Sequence, residues 1–241
     1  MKISQIFKRK NKAPVCSAVI VAAGSSQRMG SDKLLAPLGD INVLGLSLTA
    51  FENCDAISEI VVVTRADRLA EIADLCKKYG IKKVSKVVCG GATRAESALA
   101  GVSAVKSSAE LIAIHDGARP FVTAELIERT INAANVYMAA APVIKSVDTL
   151  KSIDENGFIN ATVNREAVVR VQTPQIFNAD MIKGALTKAV IDKLPITDDC
   201  SAMEIMGIKT FTVDGDERNI KITTPADLSF AKIIYEEMGE W

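Results

Sequence analysis

Val19-Ile20-Val21-Ala22-Ala23-Gly24-Ser25-Ser26-Gln27-Arg28-Met29-Gly30-Ser31-Asp32-Lys33-Leu34-Leu35 is the stretch whose reading decides the fold. A run of β-branched residues passes into small residues and glycines, and two cations follow at fixed offsets. That is how a strand delivers a polyanion to a cradle of backbone amides. A P-loop would need a Gly-Lys-Ser/Thr triplet, and a dinucleotide fingerprint would need glycines at positions 26 and 29, where Ser26 and Met29 stand. What remains is a Gly/Ser loop whose amides face phosphate oxygens, with Arg28 offering a planar fork and Lys33 a compact charge. It reads as a site for a nucleoside triphosphate; the competing reading is a plain strand-to-loop turn with solvated cations.

Working outward, strand and helix signals alternate. Strands are predicted at Val15–Val21, Ile60–Thr64, Val84–Val88, Leu111–His115 and Met138–Val143, with helices near 42–53, 67–79, 93–106 and 123–135 between them. This alternation implies an α/β, doubly wound, mostly parallel sheet covered on both faces. Thr93 with Glu96 forms a capping box, Thr224-Pro225 starts another helix, and Gly80 and Gly207 are helix stops. In such sheets ligands bind beyond the carboxyl ends of the strands. Gly24–Lys33, Gly90–Ser97 and Asp116–Arg119 each leave a strand there and are expected to converge on one pocket.

The pattern changes at 147–163, where two partly apolar runs flank Asp154-Glu155-Asn156-Gly157, a hairpin signal. A hairpin carrying Val147, Leu150, Ile153, Phe158, Ile159 and Val163 has too much apolar surface to stand alone in water. It is expected to act as a dimerisation arm within a single domain spanning 14–241, preceded by a mobile basic arm at 1–13.

The chain has 241 residues, is 49% hydrophobic, and carries 29 cations against 29 anions. Such a chain suits one large core, and with no overall basic field to recruit nucleic acid any phosphate binding must come from local placement of charge. Five scattered cysteines without a Cys-x-x-Cys pair argue against a disulfide framework and a zinc site, and fit a cytoplasmic protein. No apolar run approaches the roughly 20 residues of a membrane span, and the basic N-terminus lacks the apolar core of a signal peptide.

Ala22-Ala23-Gly24, Arg28-Met29-Gly30 and Lys33 resemble the signature loop of the sugar-phosphate nucleotidyltransferases. Gly90-Gly91-x-x-Arg94-x-x-Ser97, His115-Asp116-Gly117-Ala118-Arg119-Pro120, Thr173-Pro174-Gln175, Thr197-Asp198-Asp199 and Asn219-Ile220-Lys221-Ile222-Thr223 follow in the order of one branch, the 2-C-methyl-D-erythritol 4-phosphate cytidylyltransferases. The resemblance covers roughly residues 15–238, and it differs from the branch in the five-residue spacing of Arg28 and Lys33 and in the context Asp-Lys-Leu. It implies a Rossmann-like nucleotidyltransferase that joins CTP to a polyol phosphate, with Mg2+, in non-mevalonate isoprenoid biosynthesis, working as a homodimer whose arm reaches across to the partner. Ribitol 5-phosphate is the alternative acceptor, and a catalytically silent nucleotide-binding module is the alternative of another class.

On that resemblance Ala22, Ala23, Gly24, Ser25, Gly90, Gly91, Arg94 and Ser97 bind the nucleotide, and Arg28 and Lys33 are catalytic. Arg165, Lys221, Asp116, Arg119, Thr149 and Thr197 position the second substrate, with Asp116 expected on its hydroxyls or on the magnesium. Bland readings stand beside these. His115, the lone histidine, reads as a packed structural residue; Asp116 and Arg119 as a local ion pair; Thr197-Asp198-Asp199 as a helix cap; Lys221 as an edge lysine in a strand over Asn219–Thr223.

Overall fold

The computed structural model describes residues 13–24 and 32–239. The expected basic arm therefore lies outside the described residues except at position 13, as do Ser25 and Arg28.

The sheet is built on β1 (Cys16–Val21), flanked in parallel by β4 (Ile57–Thr64) and β6 (Leu111–Asp116), with β5 (Val84–Cys89) parallel beyond β4. β1, β4 and β6 read as near-continuous apolar runs because both their faces are covered, whereas β5, at the sheet edge, carries Ser85 and Lys86 and has no buried residue. In β1, Ala18 and Ile20 enter one core and Val19 enters the other. On the first face lie α1 (Val43–Glu52), α2 (Leu69–Lys78) and α4 (Ala124–Tyr137), through Leu48, Ile72 and Ile127. On the second lie α3 (Arg94–Ala104), α5 (Ala179–Ile191) and α6 (Asp199–Ile205), through Val102, Leu186 and Met203. The doubly wound arrangement follows from the period-two split of the strands between these two cores.

Beyond β6 the sheet becomes mixed. β11 (Gln175–Asn178) inserts antiparallel between β6 and β7 (Ala139–Lys145), β10 (Val169–Val171) runs antiparallel to β7, and β12 (Phe211–Asp214) pairs with β7 in parallel. A third core joins α1, the two-stranded turn of β2 (Pro37–Leu38) and β3 (Ile41–Asn42), and α7 (Pro225–Met238), through Leu38, Leu46, Phe121, Ile222 and Ala231.

One local expectation changes. Asn219–Thr223 forms no strand: Ile222 donates its N–H to Ala118 O at 2.9 Å and buries its side chain in the third core. Asn219 Nδ2 donates to Thr173 O at 2.9 Å. Single anchors, not a ladder, hold the segment. The hairpin pairs only β8 (Lys151–Ile153) with β9 (Ile159–Thr162). The expected hairpin thus forms, with paired strands shorter than the two runs that flank Asp154–Gly157 in the sequence; Gly157 takes a positive φ of 87° in the loop. Asp154 accepts from the N–H groups of Asn156 and Phe158.

Candidate active site

Backbone bonds continue beyond the strand ends and bring three loops together. Ala22 N–H donates to Val63 O at 2.7 Å, Gly117 N–H to Val21 O at 3.0 Å, and Gly90 N–H to Thr64 O at 2.8 Å. Between the loops opens a cleft of about 390 Å³, a size suited to a small ligand. Ala22, Ala23, Gly24, Lys33, Gly91, Arg94, Ser97, Asp116 and Lys221 line it, joined by Val21, Leu34, Ala92, Thr93 and Ala118. Gly90 lies behind this wall, close against Ala23 and Ser97.

The Gly90–Ser97 loop is stiffened from within. Thr93 caps α3 in a full capping box. Glu96 Oε2 accepts from the amides of Ala92 (2.6 Å) and Thr93 (3.1 Å), and Ser97 Oγ accepts from Gly91 N–H at 3.2 Å. The Ser97 hydroxyl also donates to Gly91 O at 3.4 Å, so the amides of Gly91, Ala92 and Thr93 and the Ser97 hydroxyl are all engaged within the loop.

Asp116 ends β6 and is the hub of the charged wall. Lys221 Nζ lies 2.7 Å from Oδ2, Arg94 Nη1 3.2 Å from Oδ1, and Arg119 Nε 3.8 Å from Oδ2. Burial alone would raise the Asp116 pKa, but the three cations, Lys221 foremost, outweigh it and hold the carboxyl well below the usual range. Arg94 is more than a helix residue: its Nη2 donates to Asp199, which is fully buried at the start of α6. Burial pushes Asp199 up to about 6 against the pull of Arg94, helped by the like charges of Asp116 and Asp198. Arg119 donates from Nη1 to Asn219 O at 2.7 Å, tying the loop that carries Lys221 to the end of β6.

His115 is structural. Its Nε2 lies 3.1 Å from Arg119 O and its Nδ1 3.0 Å from Thr173 Oγ1, while Thr173 Oγ1 also accepts from Asp116 N–H at 3.1 Å. The carbonyl requires Nε2–H, so Nδ1 accepts the Thr173 hydroxyl proton and the ring is neutral. Burial lowers its pKa to about 4. Thr173-Pro174-Gln175 likewise serves the framework: Gln175 Oε1 accepts from the amides of Asp199 and Cys200, and Nε2 donates to Asp198. Asp198 is the N-cap of α6, as its bland reading had it, whereas Asp199 is tied to Arg94.

Besides Gly90, four expected residues do not line the cleft: Arg119, whose guanidinium is held against Asp116 and Asn219 O, and Thr149, Thr197 and Arg165. Thr149 and Thr197 are exposed elsewhere, and Arg165 follows β9 with Nη1 3.4 Å from Val147 O. The bonding of Asp199 and Gln175 had no sequence signal, since both depend on partners brought together only by the fold.

The family model described as 2-C-methyl-D-erythritol 4-phosphate cytidylyltransferase (IspD) matches residues 16–237. Curated relatives of that name include the protein of Clostridium novyi, 41% identical over 224 residues that cover 92% of this chain and 96% of the relative. Another, from Caldanaerobacter subterraneus subsp. tengcongensis, is 42% identical, covering 90% of this chain and 97% of the relative. Among solved structures, the 4-diphosphocytidyl-2C-methyl-D-erythritol synthase of Anaerococcus prevotii superposes with a TM-score of 0.83 at 35% identity, over 93% of this chain and 97% of that one. The 2-C-methyl-D-erythritol 4-phosphate cytidylyltransferase of Thermus thermophilus does so at 0.74 and 30%, over 92% and 99%. With a fold, a set of strand-end loops and a sequence matched across nearly its whole length, the chain belongs to the 2-C-methyl-D-erythritol 4-phosphate cytidylyltransferase family.

Proposed function

We propose that the cleft receives CTP on the Ala22–Gly24 loop, and that a phosphate oxygen of 2-C-methyl-D-erythritol 4-phosphate attacks its α-phosphorus. The products are 4-diphosphocytidyl-2-C-methyl-D-erythritol and pyrophosphate, in non-mevalonate isoprenoid biosynthesis. The observation that carries this reading is the cationic wall itself: Lys33, Arg94 and Lys221 face one cleft around a single ionised Asp116. A phosphomonoester has its second pKa near 6, so its oxygen needs no general base at neutral pH. The neutral, doubly bonded His115 and the cation-bound Asp116 accord with such chemistry.

Each residue then has a task. Lys33 and Arg28 stabilise charge growing on the departing pyrophosphate. Lys221 receives the attacking phosphate, Arg119 braces the loop that carries it through Asn219 O, and Asp116 holds Lys221 in place or meets a polyol hydroxyl. Gly90, Gly91, Arg94 and Ser97 frame the base and ribose, with Ser25 beside the phosphates. Among the described residues no three His, Cys, Asp or Glu side chains are grouped to hold a metal. Magnesium is commonly held by one or two carboxylates together with substrate phosphates, so it would enter with the triphosphate, with Asp116 the carboxylate that lines the cleft.

The site is completed by a second copy. On the arm, Val147 is 77% and Phe158 72% exposed, with Ile153 and Ile159 nearly as open, an apolar surface that a twofold axis would bury. Thr149 and Arg165 lie on or beside that arm and would meet the acceptor phosphate of the partner's cleft, with Thr197 contributing from its own chain. Five free cysteines, four of them buried, and the absence of any membrane-crossing helix among the described residues accord with a cytoplasmic enzyme. Pyrophosphate release measured for CTP, UTP, ATP and GTP against 2-C-methyl-D-erythritol 4-phosphate and ribitol 5-phosphate tests the reading. Turnover should require CTP and the erythritol ester; a preference for ribitol 5-phosphate, or no turnover with either, would overturn it.

A further inference from the structure

Lys33 reaches the cleft from a short turn that begins at Asp32. Both carboxylate oxygens of Asp32 are engaged: Oδ1 accepts from Leu34 N–H at 3.0 Å, and Oδ2 lies 3.0 Å from Arg68 Nη2. Leu35 N–H donates to Asp32 O at 3.3 Å, and Leu44 N–H donates to Leu34 O at 2.9 Å. Leu34 is only 6% exposed, so the far side of the turn is fixed in the core. Its near side joins residues 25–31, and there the described anchor is Asp32.

Arg68 comes from a different element, the 3-10 turn Ala66–Arg68 between β4 and α2. Its other terminal nitrogen, Nη1, lies 3.0 Å from Glu71 Oε2 on α2, which fixes the plane of the guanidinium. The Arg68 and Asp32 side chains are 23% and 18% exposed, so the pair is screened less than a fully solvated one. Arg68 does not line the cleft.

We propose that Arg68 is a positioning residue: by clamping Asp32 it ties the root of Lys33 to the sheet through the β4–α2 connection, and so sets where the Lys33 ammonium stands. The clamp rests on the assignment of Lys33 to the nucleotide phosphates. A lysine on a four-carbon stem is a poor point of reference unless its backbone is held, and a displacement of about 1 Å at a catalytic group can cost on the order of 100-fold in rate.

The test uses Arg68→Met, Asp32→Asn and the double variant, with Lys33→Ala alongside. Asparagine keeps the side-chain oxygen that accepts from Leu34 N–H and removes the charge, so it separates the clamp from the turn. Each single variant should lower kcat about 10-fold or more with KM for CTP changed less than about 3-fold, and the double should fall no further than the worse single. Circular dichroism establishes that each variant is folded, and Arg68→Gln replaces Arg68→Met should the latter not fold. Either single variant keeping kcat within about 2-fold, or losses that multiply in the double, overturns the clamp. If Lys33→Ala loses its turnover while the Arg68 and Asp32 variants keep theirs, the clamp alone fails. A fully active Lys33→Ala removes the assignment of Lys33 on which the clamp rests, and the clamp with it.

Discussion

Gly90→Ala adds one methyl group where the two nucleotide loops meet. A Cβ at Gly90 would lie 2.8 Å from Ala23 Cβ and 2.8 Å from Ser97 Oγ, with Ser97 Cβ at 3.3 Å. Carbon atoms pack best at about 3.5–4.0 Å, and an alanine methyl has no rotamer in which to retreat, so backbone must move. The sheet ends of both loops are held by the bonds from Ala22 N–H to Val63 O and from Gly90 N–H to Thr64 O, which directs the displacement towards the cleft. Overpacking of this kind costs about 1–3 kcal/mol. Borne mainly by the nucleotide-binding geometry, that cost lowers kcat/KM for CTP by about 5- to 150-fold, since about 1.4 kcal/mol is a factor of ten. The assay is steady-state pyrophosphate release with CTP varied, paired with thermal unfolding of the same protein. A Gly90→Ala enzyme within about 2-fold of the parent in kcat/KM and unchanged in Tm would refute the close approach of these loops.

Gly184→Ala is the opposite case: Gly184 lies inside α5 with nothing within 4 Å of the added Cβ, so the substitution should raise stability by about 0.5–1 kcal/mol in urea unfolding and leave turnover alone. For pH, His115 has its folded pKa lowered to about 4, so it contributes stability above its unfolded pKa of 6.5 that is lost as pH falls towards 4. Asp199, raised to about 6, works the other way: as pH falls through 6 the folded state takes up its proton first and is stabilised. Asp199→Asn should therefore unmask the histidine, with stability dropping by about 2 kcal/mol between pH 7 and pH 5, a slope shallower in the parent; equal slopes in urea titrations would contradict this. Mixing inactive Arg165→Ala with inactive Lys33→Ala under subunit exchange should restore up to about a quarter of parental activity if the arm completes the partner's site, and no recovery despite proven exchange counts against the dimeric site.

How far the sequence could be read follows from what sets each feature. The parallel core was legible because burial on both faces leaves continuous apolar runs in β1, β4 and β6, and the capping boxes at Thr93 and Thr224 depend on neighbours in sequence. Asn219–Thr223 misled because its apolar alternation reflects one buried side chain, Ile222, and bonds to residues 46 and 104 positions away. The strand-end rule anticipated which loops would meet, but not that Arg94 would bridge Asp116 and Asp199, because charge partners carry no periodicity. Arg68 was silent for the same reason: nothing in Arg65–Leu69 signals a bond to Asp32.

The most direct test of a catalyst made of placed cations is the kinetic split in Lys33→Ala. With CTP and 2-C-methyl-D-erythritol 4-phosphate, kcat should fall by about 10²–10³-fold while KM for CTP moves far less, because the charge opposite Lys33 is greatest in the transition state. An unchanged kcat, or a loss confined to KM for CTP, would contradict it.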